Sequence, residues 1–481
     1  MGKRVVISLS ESTRWKIFFW QVAFLFSCAF SEGLAQTHCV SGKVTEYYSN
    51  EPLPFTHILV NDQNIHFFAD INGNFNFCID TTIFFLTFRT PQHKEKKIRI
   101  EQHTPQSIEV YLVANSVFER AEKTTPQAKA LLENVVAYKT RHNPEYVGNF
   151  CYRSYNKLSL STERSYIAKN NIIEKLEKAA KSLNWLVGKI NYFSDEHHLF
   201  LMEAITERRY RTTNSQQETI LASKVSGIEK PSVFVTTSLL QPFTLYNNTV
   251  YLAGSHYYSP FLRKSLSWYH FSIIDSAVVG SEKIYTVKFN PKSRHRVDFL
   301  QGYLYINAHQ CALVHAIVTP SVRTKVAIEF LQTYQAMPHP KKETERLWFP
   351  KESISKIIKS KYSHTATKIS AYNHTYYYDI HPYADMTRTD FDEILLNHLP
   401  NDSISQDFWE YHRKIPFTEK DRKTYQLYDT LGSLKQFERL VRLGEGFYYG
   451  HLPFGHINLD FHRFLDLNQH EGIRTGFGFH T

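Results

Sequence analysis

The sequence GYLYINAHQCALVHAIV (302–318) decides the fold class of this chain. Apolar and polar residues alternate on both sides of a turn that we predict at residues 307–310. Successive side chains of a β-strand point to opposite faces, so this alternation predicts an antiparallel hairpin with one buried face.

The strand pattern is not confined to this hairpin but runs through residues 195–330. It recurs in HHLFLMEAITERRYR (197–211), SVFVTTSLL (232–240), TVYLAG (249–254) and SWYHFSIIDSAVVGSEKIYTVKFNP (267–291). A long meander of this kind predicts a curved sheet. Because a curved sheet encloses space, an apolar ligand cavity within 195–330 is one interpretation of this region.

The composition indicates a folded, β-rich protein of two or three domains. Of the 481 residues, 42% are hydrophobic, and the chain has 30 Tyr and 35 Phe against only 4 Met. Aromatic residues in this proportion are typical of strands. The formal net charge of +10 is spread along the chain, and the basic segments 93–100 and 338–346 both contain Glu. We interpret this charge as a solvated surface and expect no nucleic-acid partner.

The N-terminal residues predict export. Basic residues precede the apolar run 17–30, which is too short to cross a membrane comfortably as a helix, and GLAQ (33–36) follows it. This pattern is typical of a secretory signal peptide over residues 1–36. Lipid anchoring at Cys28 is an alternative, although Phe26 stands where a lipobox needs a small residue.

Residues 38–113 have the pattern of a small β-sandwich. Short apolar runs are separated by turn residues such as ADING (69–73), in which Asn and Gly tolerate positive φ. Cys39 and Cys78 lie on two of the predicted strands. In an oxidising compartment they can form a disulfide, and the other interpretation is two small buried thiols.

The sequence contains no clear catalytic signature. It has no Gly-x-Ser-x-Gly, P-loop, dinucleotide-binding or Cys-x-x-Cys motif. In HNPE (142–145), Pro144 favours a turn over a rigid pair of metal ligands, and we expect His197 and His198 in a loop beside a strand. We therefore predict a protein that is not an enzyme, with no catalytic, cofactor-binding or metal-ligating residues. A cryptic zinc hydrolase is the weaker alternative.

Two amphipathic helices are predicted. In residues 124–145, apolar or small side chains at positions 128, 131, 132, 135 and 136 form one stripe, and Pro126 suits the first turn. We interpret this helix as a connector between domains. The second predicted helix covers residues 170–187.

Seven stretches, taken in order, resemble one family. They are ENVVAYKTRHNPEYVGNFCYRSYNKL (133–158), ETILASKVSGIEKPSVF (218–234), FTLYNN (243–248), YYSPF (257–261), IYTVKFNP (284–291), FLQGYLYIN (299–307) and DFWEYHRKIPFTEKDRKTYQLYDTL (407–431). Together they are similar to domain of unknown function family 5686, exported proteins of bacteria with two membranes. Residues 41–77 also resemble the carboxypeptidase regulatory-like, prealbumin-type sandwich. No catalytic or cofactor residue is established for the family, so the resemblance assigns none.

The resemblance implies a mainly β fold with helical connectors. The predicted parts are a signal peptide (1–36), a regulatory-like β-sandwich (38–113), a helical connector (114–147), a β-rich curved-sheet middle domain (148–400), a helical or extended connector (401–450) and the first strands of an outer-membrane β-barrel (451–481). Apolar residues alternate along those last strands, as a barrel strand requires. We expect the chain to be a truncated member of the family, because one hairpin cannot close a barrel.

The predicted function is that of a non-enzymatic exported protein in the periplasm or outer membrane. It would be the periplasmic part of an outer-membrane barrel protein of unknown cargo, with the outer membrane or its proteins as partners. The rival interpretation is a periplasmic carrier of lipid or lipoprotein that uses the curved sheet of the middle domain.

Overall fold

The computed structural model describes much of the chain from residue 38 to residue 431 and five short stretches after residue 450. The described ranges are 38–61, 65–79, 84–101, 107–115, 123–164, 196–211, 215–226, 242–253, 255–293, 298–322, 326–340, 342–359, 367–387, 391, 396–398, 405–431, 451–454, 457–460, 466–468, 472–474 and 478–480. The chain divides into two compact units, Met1–Ala114 and Asn115–Thr481. The predicted signal peptide, Cys28, the helix predicted over 170–187 and the strand predicted over 232–240 lie outside the described residues.

The first unit contains two small sheets with a common core. Its strands are β1 His38–Glu46, β2 His57–Val60, β3 Ile65–Phe68, β4 Asn74–Ile79, β5 Phe84–Arg89, β6 Lys96–Ile100 and β7 Ser107–Leu112. They form one sheet in the order β4-β1-β7 and another in the order β3-β2-β5-β6. Val44 of the first sheet and Ile58 and Phe88 of the second are fully buried in one cluster. Two sheets that share a core in this way form a sandwich.

A disulfide joins Cys39 to Cys78 across β1 and β4, where the two residues are partners in the strand register. Both residues are exposed, so the alternative of two buried thiols is wrong. The turn predicted at 69–73 is present. Oδ1 of Asp70 accepts hydrogen bonds from two following backbone N–H groups, at 2.8 and 2.7 Å.

One large curved sheet organises the second unit, and the prediction of a mainly β fold is confirmed. Its strands, with the separate hairpin of β11 and β12, are β8 Phe150–Arg164, β9 Phe200–Arg211, β10 Ser215–Val225, β11 Thr249–Leu252, β12 Ser255–Tyr258, β13 Tyr269–Val279, β14 Glu282–Pro291, β15 Leu300–Asn307, β16 Ala312–Pro320, β17 Val326–His339, β18 Lys342–Lys359, β19 Thr367–Pro382 and β20 Leu396–His398. The order in the large sheet is β13-β14-β15-β16-β17-β18-β19-β8-β9-β10-β20. Neighbours pair antiparallel, except that β10 and β20 are parallel.

The hairpin predicted at 302–318 corresponds to β15 and β16, which pair antiparallel. Its turn is closed by Asn307, whose Oδ1 accepts hydrogen bonds from the backbone N–H groups of His309 and Gln310 at 3.0 and 2.8 Å. The predicted turn position is therefore confirmed.

Helices described in the second unit are α1 Pro126–Ala137, α2 Lys139–His142, α3 Pro144–Val147, α4 Ser265–Trp268, α5 Gln406–His412 and α6 Glu419–Leu431. Thr125 caps α1, because its side-chain oxygen accepts a hydrogen bond from the backbone N–H of Ala128, and Pro126 lies in the first turn as predicted. Four of the five predicted stripe positions of α1 (128, 131, 132 and 135) are buried in the core of the large sheet, and Val136 is half-buried. This helix therefore contributes to the core instead of only connecting two domains.

After residue 450 the described backbone consists of short strands. They are β21 His451–Phe454, β22 Ile457–Asp460, β23 Asp466–Asn468, β24 Gly472–Arg474 and β25 Gly478–His480. β23 pairs antiparallel with β24, and β22 pairs antiparallel with β21 and with β25. Among the helices in the described ranges, none combines the length and hydrophobicity that crossing a membrane requires.

Gly302 of β15 is a position where the sheet admits no side chain. Its φ is +148°, and a Cβ there would lie 2.0 Å from the carbonyl oxygen of Ile317 on β16. We expect Gly302→Ala to lower the free energy of unfolding by about 3 kcal/mol or more, measured by urea denaturation. The matched control is Gly280→Ala, because Gly280 also has positive φ (+62°) but has open space around it. Equal losses for the two variants would contradict this explanation.

Candidate functional site

The large sheet has two faces with different contents. We call the face against which α1 packs the inner face, and the face against which α5 and α6 pack the outer face. The strand register aligns a row of inner-face residues across ten strands. From β13 to β10, the row is Phe271, Phe289, Gly302, Val318, Phe330, Ser355, Asn373, Leu158, Met202 and Val225. All but Ser355 and Asn373 are apolar or Gly.

Beside this row, two residues along each strand, lies an inner-face row that is entirely apolar. Its members are Ile328, Ile357, Ala371, Leu160 and Phe200. We call these five residues the apolar row, and all five are half-buried. They lie on five neighbouring strands spaced about 4.8 Å apart, so the row is about 19 Å long.

On the other side of Ser355 and Asn373, the inner face is polar and its groups bond to one another. Nε2 of Gln332 donates to the hydroxyl of Ser353 at 3.1 Å. The hydroxyl of Thr375 donates to Oδ1 of Asn156 at 2.8 Å, and Nδ2 of Asn156 donates to the hydroxyl of Ser154 at 3.0 Å. Buried polar side chains are normally satisfied in this way.

Asn373 of β19 differs from the polar groups of this row. It is 2% exposed, and neither the nitrogen nor the oxygen of its side-chain amide has a hydrogen-bond partner within the described part of the chain. A buried polar group left unpaired costs about 1–3 kcal/mol of stability. Asn373 lies between the apolar row and the row of polar groups that bond to one another. An unpaired amide in this position, which lowers stability, is a candidate contact for a ligand.

The chain's own side chains cover the inner face of β13 to β17. Tyr246 and α1 pack there in one core with Phe289 and Leu304. The hydroxyl of Tyr246 accepts a hydrogen bond from the backbone N–H of Leu313 at 2.6 Å. The sequence placed a cavity within 195–330, but much of that surface is filled by the chain itself. The half-buried apolar row lies mostly on β18, β19 and β8 instead.

On the outer face, a buried ion pair holds the segment 405–431. Glu203 of β9 has no exposed surface and accepts hydrogen bonds from Nε and Nη2 of Arg413 at 2.8 and 3.0 Å. The hydroxyl of Tyr155 also donates to Glu203, and Trp409 of α5 packs in the same cluster as Tyr155. A bidentate contact between Arg and a carboxylate fixes both distance and orientation.

A second buried carboxylate, Asp421 of α6, binds the same face of the sheet. Lys157 of β8 contacts it, and Nε2 of His198 lies 3.0 Å from its Oδ1. Burial raises the pKa of Asp421, but the hydrogen bond from His198 and the charge of Lys157 outweigh burial and hold that pKa well below its ordinary value. Asp421 is therefore a charged carboxylate with partners on the sheet.

Ser161, His198 and Asp421 form a hydrogen-bonded series, with 2.7 Å between Ser161 Oγ and His198 Nδ1. In a hydrolase triad Nε2 faces the serine and Nδ1 faces the carboxylate. The two ring nitrogens have the opposite places here, and Lys157 also contacts the carboxylate. We assign this series to the packing of α6 on the sheet. His197 and His198 lie just before β9, as the sequence predicts.

The HNPE segment (142–145) forms a turn between two short helices, as predicted. Nε2 of His142 is 2.8 Å from the carbonyl oxygen of Gln310, and Asn143 caps α3. Burial lowers the pKa of His142 to about 4. Within the described ranges, no group of three or more His, Cys, Asp or Glu side chains is placed to hold a metal ion.

A polar pocket of about 420 Å³ opens near the ends of β8, β9 and β19. Its lining includes Cys151, Arg153, Glu207, Arg209, Asp379 and His381. Nitrogens of Arg153 and Arg209 lie 3.3 and 3.0 Å from Glu207, so these charges are paired within the pocket. Burial raises the pKa of the Cys151 thiol, which lowers the fraction of reactive thiolate.

The sequence predicted no site residue in the middle domain or the following connector, and so missed Asn373, Glu203 and Asp421. A local signal exists for Glu203, because it interrupts the apolar run FLMEAI (200–205). No local signal identifies its partner Arg413, which lies 210 residues further along the chain. Asn373 resembles any polar residue of an alternating strand until the register of its neighbours is known.

Comparison with known proteins gives a family match over much of the second unit. The model of a family described as "Family of unknown function (DUF5686)" matches residues 131–378. No curated protein matches the chain.

Solved structures show only distant likenesses. A domain named for outer membrane lipoprotein sorting, from Vibrio parahaemolyticus, is 8% identical, with 55% of this chain and 97% of that chain covered and a TM-score of 0.25. A DUF1329 family protein from Desulfovibrio piger is 7% identical, with 56% and 98% covered and a TM-score of 0.24. The MucA/MucB complex of Pseudomonas aeruginosa gives 10% identity, 54% and 100% coverage and a TM-score of 0.15. TM-scores this low support no inference about function.

Removing Arg413 tests the outer-face ion pair. In Arg413→Met, Glu203 keeps its charge in a site without exposed surface, so we expect the free energy of unfolding in urea to fall by about 3–5 kcal/mol. Replacing Glu203 by Met in the same variant should recover most of the loss, because the unpaired charge is then gone. Arg422→Met, which breaks the exposed pair with Glu419, is the control and should cost far less stability, because solvent screens both partners. Similar losses for Arg413→Met and Arg422→Met would contradict the assignment.

Burial of neutral His142 predicts a dependence of stability on pH. Its pKa is lowered from 6.5 to about 4 in the folded chain. The unfolded chain therefore takes up the proton first as the pH falls. The stability that neutral His142 contributes is full above about pH 6.5 and is lost as the pH falls to about 4, with a total of about 3 kcal/mol. We expect His142→Gln, which keeps a donor for Gln310 but does not titrate, to lose less stability over this range in urea denaturation. Parallel pH profiles would show that His142 makes no such contribution.

Proposed function

We propose that this chain, which belongs to the family of unknown function DUF5686, is an exported, non-catalytic protein of the cell envelope and the periplasmic part of an outer-membrane protein. The observation that carries this proposal is the pair of buried carboxylates on the outer face. Glu203–Arg413 and Asp421–Lys157 fix the segment 405–431 to the sheet. This segment precedes residues 451–481, in which the sequence predicts outer-membrane strands. We infer that the sheet is joined to those strands through a segment that is fixed to its outer face up to residue 431.

The disulfide of the first unit supports the proposed export. Disulfides persist in oxidising compartments such as the periplasm and are rare in the cytosol. Cys39 and Cys78 form their bond on an exposed face of a small sandwich. The likeness of residues 38–113 to the carboxypeptidase regulatory-like, prealbumin-type module remains a prediction. Such a module would accompany the larger unit without chemistry of its own.

The proposal of a non-catalytic role is supported by how the charged groups of the sheet are used. Glu203, Asp421 and the pocket residue Glu207 each face a cation of the same chain at contact distance. Such pairs stabilise the arrangement of strands and helices. A general acid or base needs a position open to a substrate proton.

A second candidate function is carriage of lipid or lipoprotein. The apolar row favours it, because five neighbouring apolar side chains on the inner face are only half-buried. Apolar surface in a long row of this kind is the surface that an acyl chain covers favourably.

Cell fractionation tests the proposed location. We expect the chain, produced in a host with two membranes, to lose residues 1–36 and to appear in the envelope fraction. The control replaces Phe24 and Leu25 by Arg, which interrupts the apolar run that export requires, and should leave the unprocessed chain in the cytoplasm. Wild-type chain found unprocessed in the cytoplasm would contradict the proposal.

Carbonate extraction of the envelope fraction then separates the two candidates. Chain that stays in the membrane pellet supports the outer-membrane protein. Chain that is released with the soluble proteins contradicts membrane integration and supports the periplasmic carrier.

A further inference from the structure

We propose that Asn373, with Ser355 beside it, binds the neutral polar head of a single-chain amphiphile whose alkyl chain lies along the apolar row. This inference rests on the second candidate function, since it names the class of ligand that the inner face would carry.

The buried amide of Asn373 defines the chemistry of the head. A side-chain amide offers two N–H donors and one carbonyl acceptor, and here neither type of atom has a partner within the described residues. A ligand that both accepts and donates would satisfy the two atoms together. A carboxamide has this pattern, because its C=O and N–H groups can pair with those of Asn373 side by side.

The neighbouring rows define the chain of the ligand. Asn373 is the register partner of Ser355 on β18 and of Leu158 on β8. Two residues further along the same strands lie Ile357, Ala371 and Leu160 of the apolar row. A head bonded to Asn373 therefore places its chain next to a strip of apolar side chains about 19 Å long. That length suits a long acyl chain.

The described strands around Asn373 present uncharged side chains, which favours a neutral head. On β17, β18, β19, β8 and β9, the three adjacent inner-face rows carry only uncharged side chains: Ile328, Phe330, Gln332, Ser353, Ser355, Ile357, Ala371, Asn373, Thr375, Asn156, Leu158, Leu160, Phe200, Met202 and Ala204. Burial of an ionised head among these groups would leave its charge unpaired, which is costly. A phosphate or a free carboxylate therefore fits this position poorly.

A comparison of three probes with one alkyl chain tests the inference. Oleamide donates and accepts hydrogen bonds, methyl oleate only accepts, and oleate is anionic. Binding to the full chain is measured by displacement of a fluorescent alkyl probe. We expect oleamide to bind about tenfold more tightly than methyl oleate, because it satisfies both atoms of Asn373. Oleate should bind more weakly than oleamide.

The variant Asn373→Leu should remove the preference for oleamide and leave binding of methyl oleate intact. Without ligand, it should also melt a few degrees higher than wild type, because it no longer buries an unpaired amide. Ser353→Ala, in the saturated polar row, is the matched control and should keep the preference. If Asn373→Leu does not fold, Asn373→Ser provides the same test, since it also lacks the amide.

The outcomes separate this inference from the function on which it rests. If none of the three probes binds, the carrier function and the role of Asn373 both fail. If oleamide and methyl oleate bind equally well, or if Asn373→Leu keeps the preference, the role of Asn373 fails while an apolar ligand on the inner face stands. Tightest binding of oleate would overturn the argument for a neutral head.

Discussion

The constraint on which the rest of the structure depends is the continuous register of ten antiparallel strands. Side chains alternate between faces with a period of two, so one register decides for every strand which residues share the inner face. A slip of one residue in β19 would exchange Asn373 with His374 and bring the ion-pairing face into the core. The register shifts near residues 220, 273, 305, 333, 338 and 378 are local and do not interrupt the row that runs through Asn373.

The two faces of this sheet bury different kinds of side chain. The outer face buries charges, and it does so in pairs that join β8 and β9 to the segment 405–431. The inner-face rows around Asn373 carry uncharged side chains, and on one half of the sheet α1 and side chains of residues 242–261 cover this face. On the other half, the apolar row is only half-buried, and the amide of Asn373 has no hydrogen-bond partner among the described residues. We therefore propose the inner face as the place for binding, whereas the outer face holds the segment 405–431.

Sequence reasoning succeeded where the signal is local. The hairpin at 302–318, the turn at 69–73 and the first turn of α1 at Pro126 each follow from a few adjacent residues, and each is confirmed. It failed where residues from distant parts of the chain meet. Glu203 and Arg413 are 210 residues apart, and Asn373 becomes unusual only because Leu158 and Ser355 are its neighbours. The order of strands in the sheet carries that information, and no short segment contains it.

Photo-crosslinking from the apolar row tests the central claim most directly. A photoreactive amino acid replaces Leu160 on the inner face or, as control, Tyr372 on the outer face, and the chain is irradiated in cells and analysed by mass spectrometry. The account predicts adducts with molecules that carry an acyl chain at Leu160 and none at Tyr372. Absence of such adducts at Leu160, or equal yields at the two positions, would contradict it.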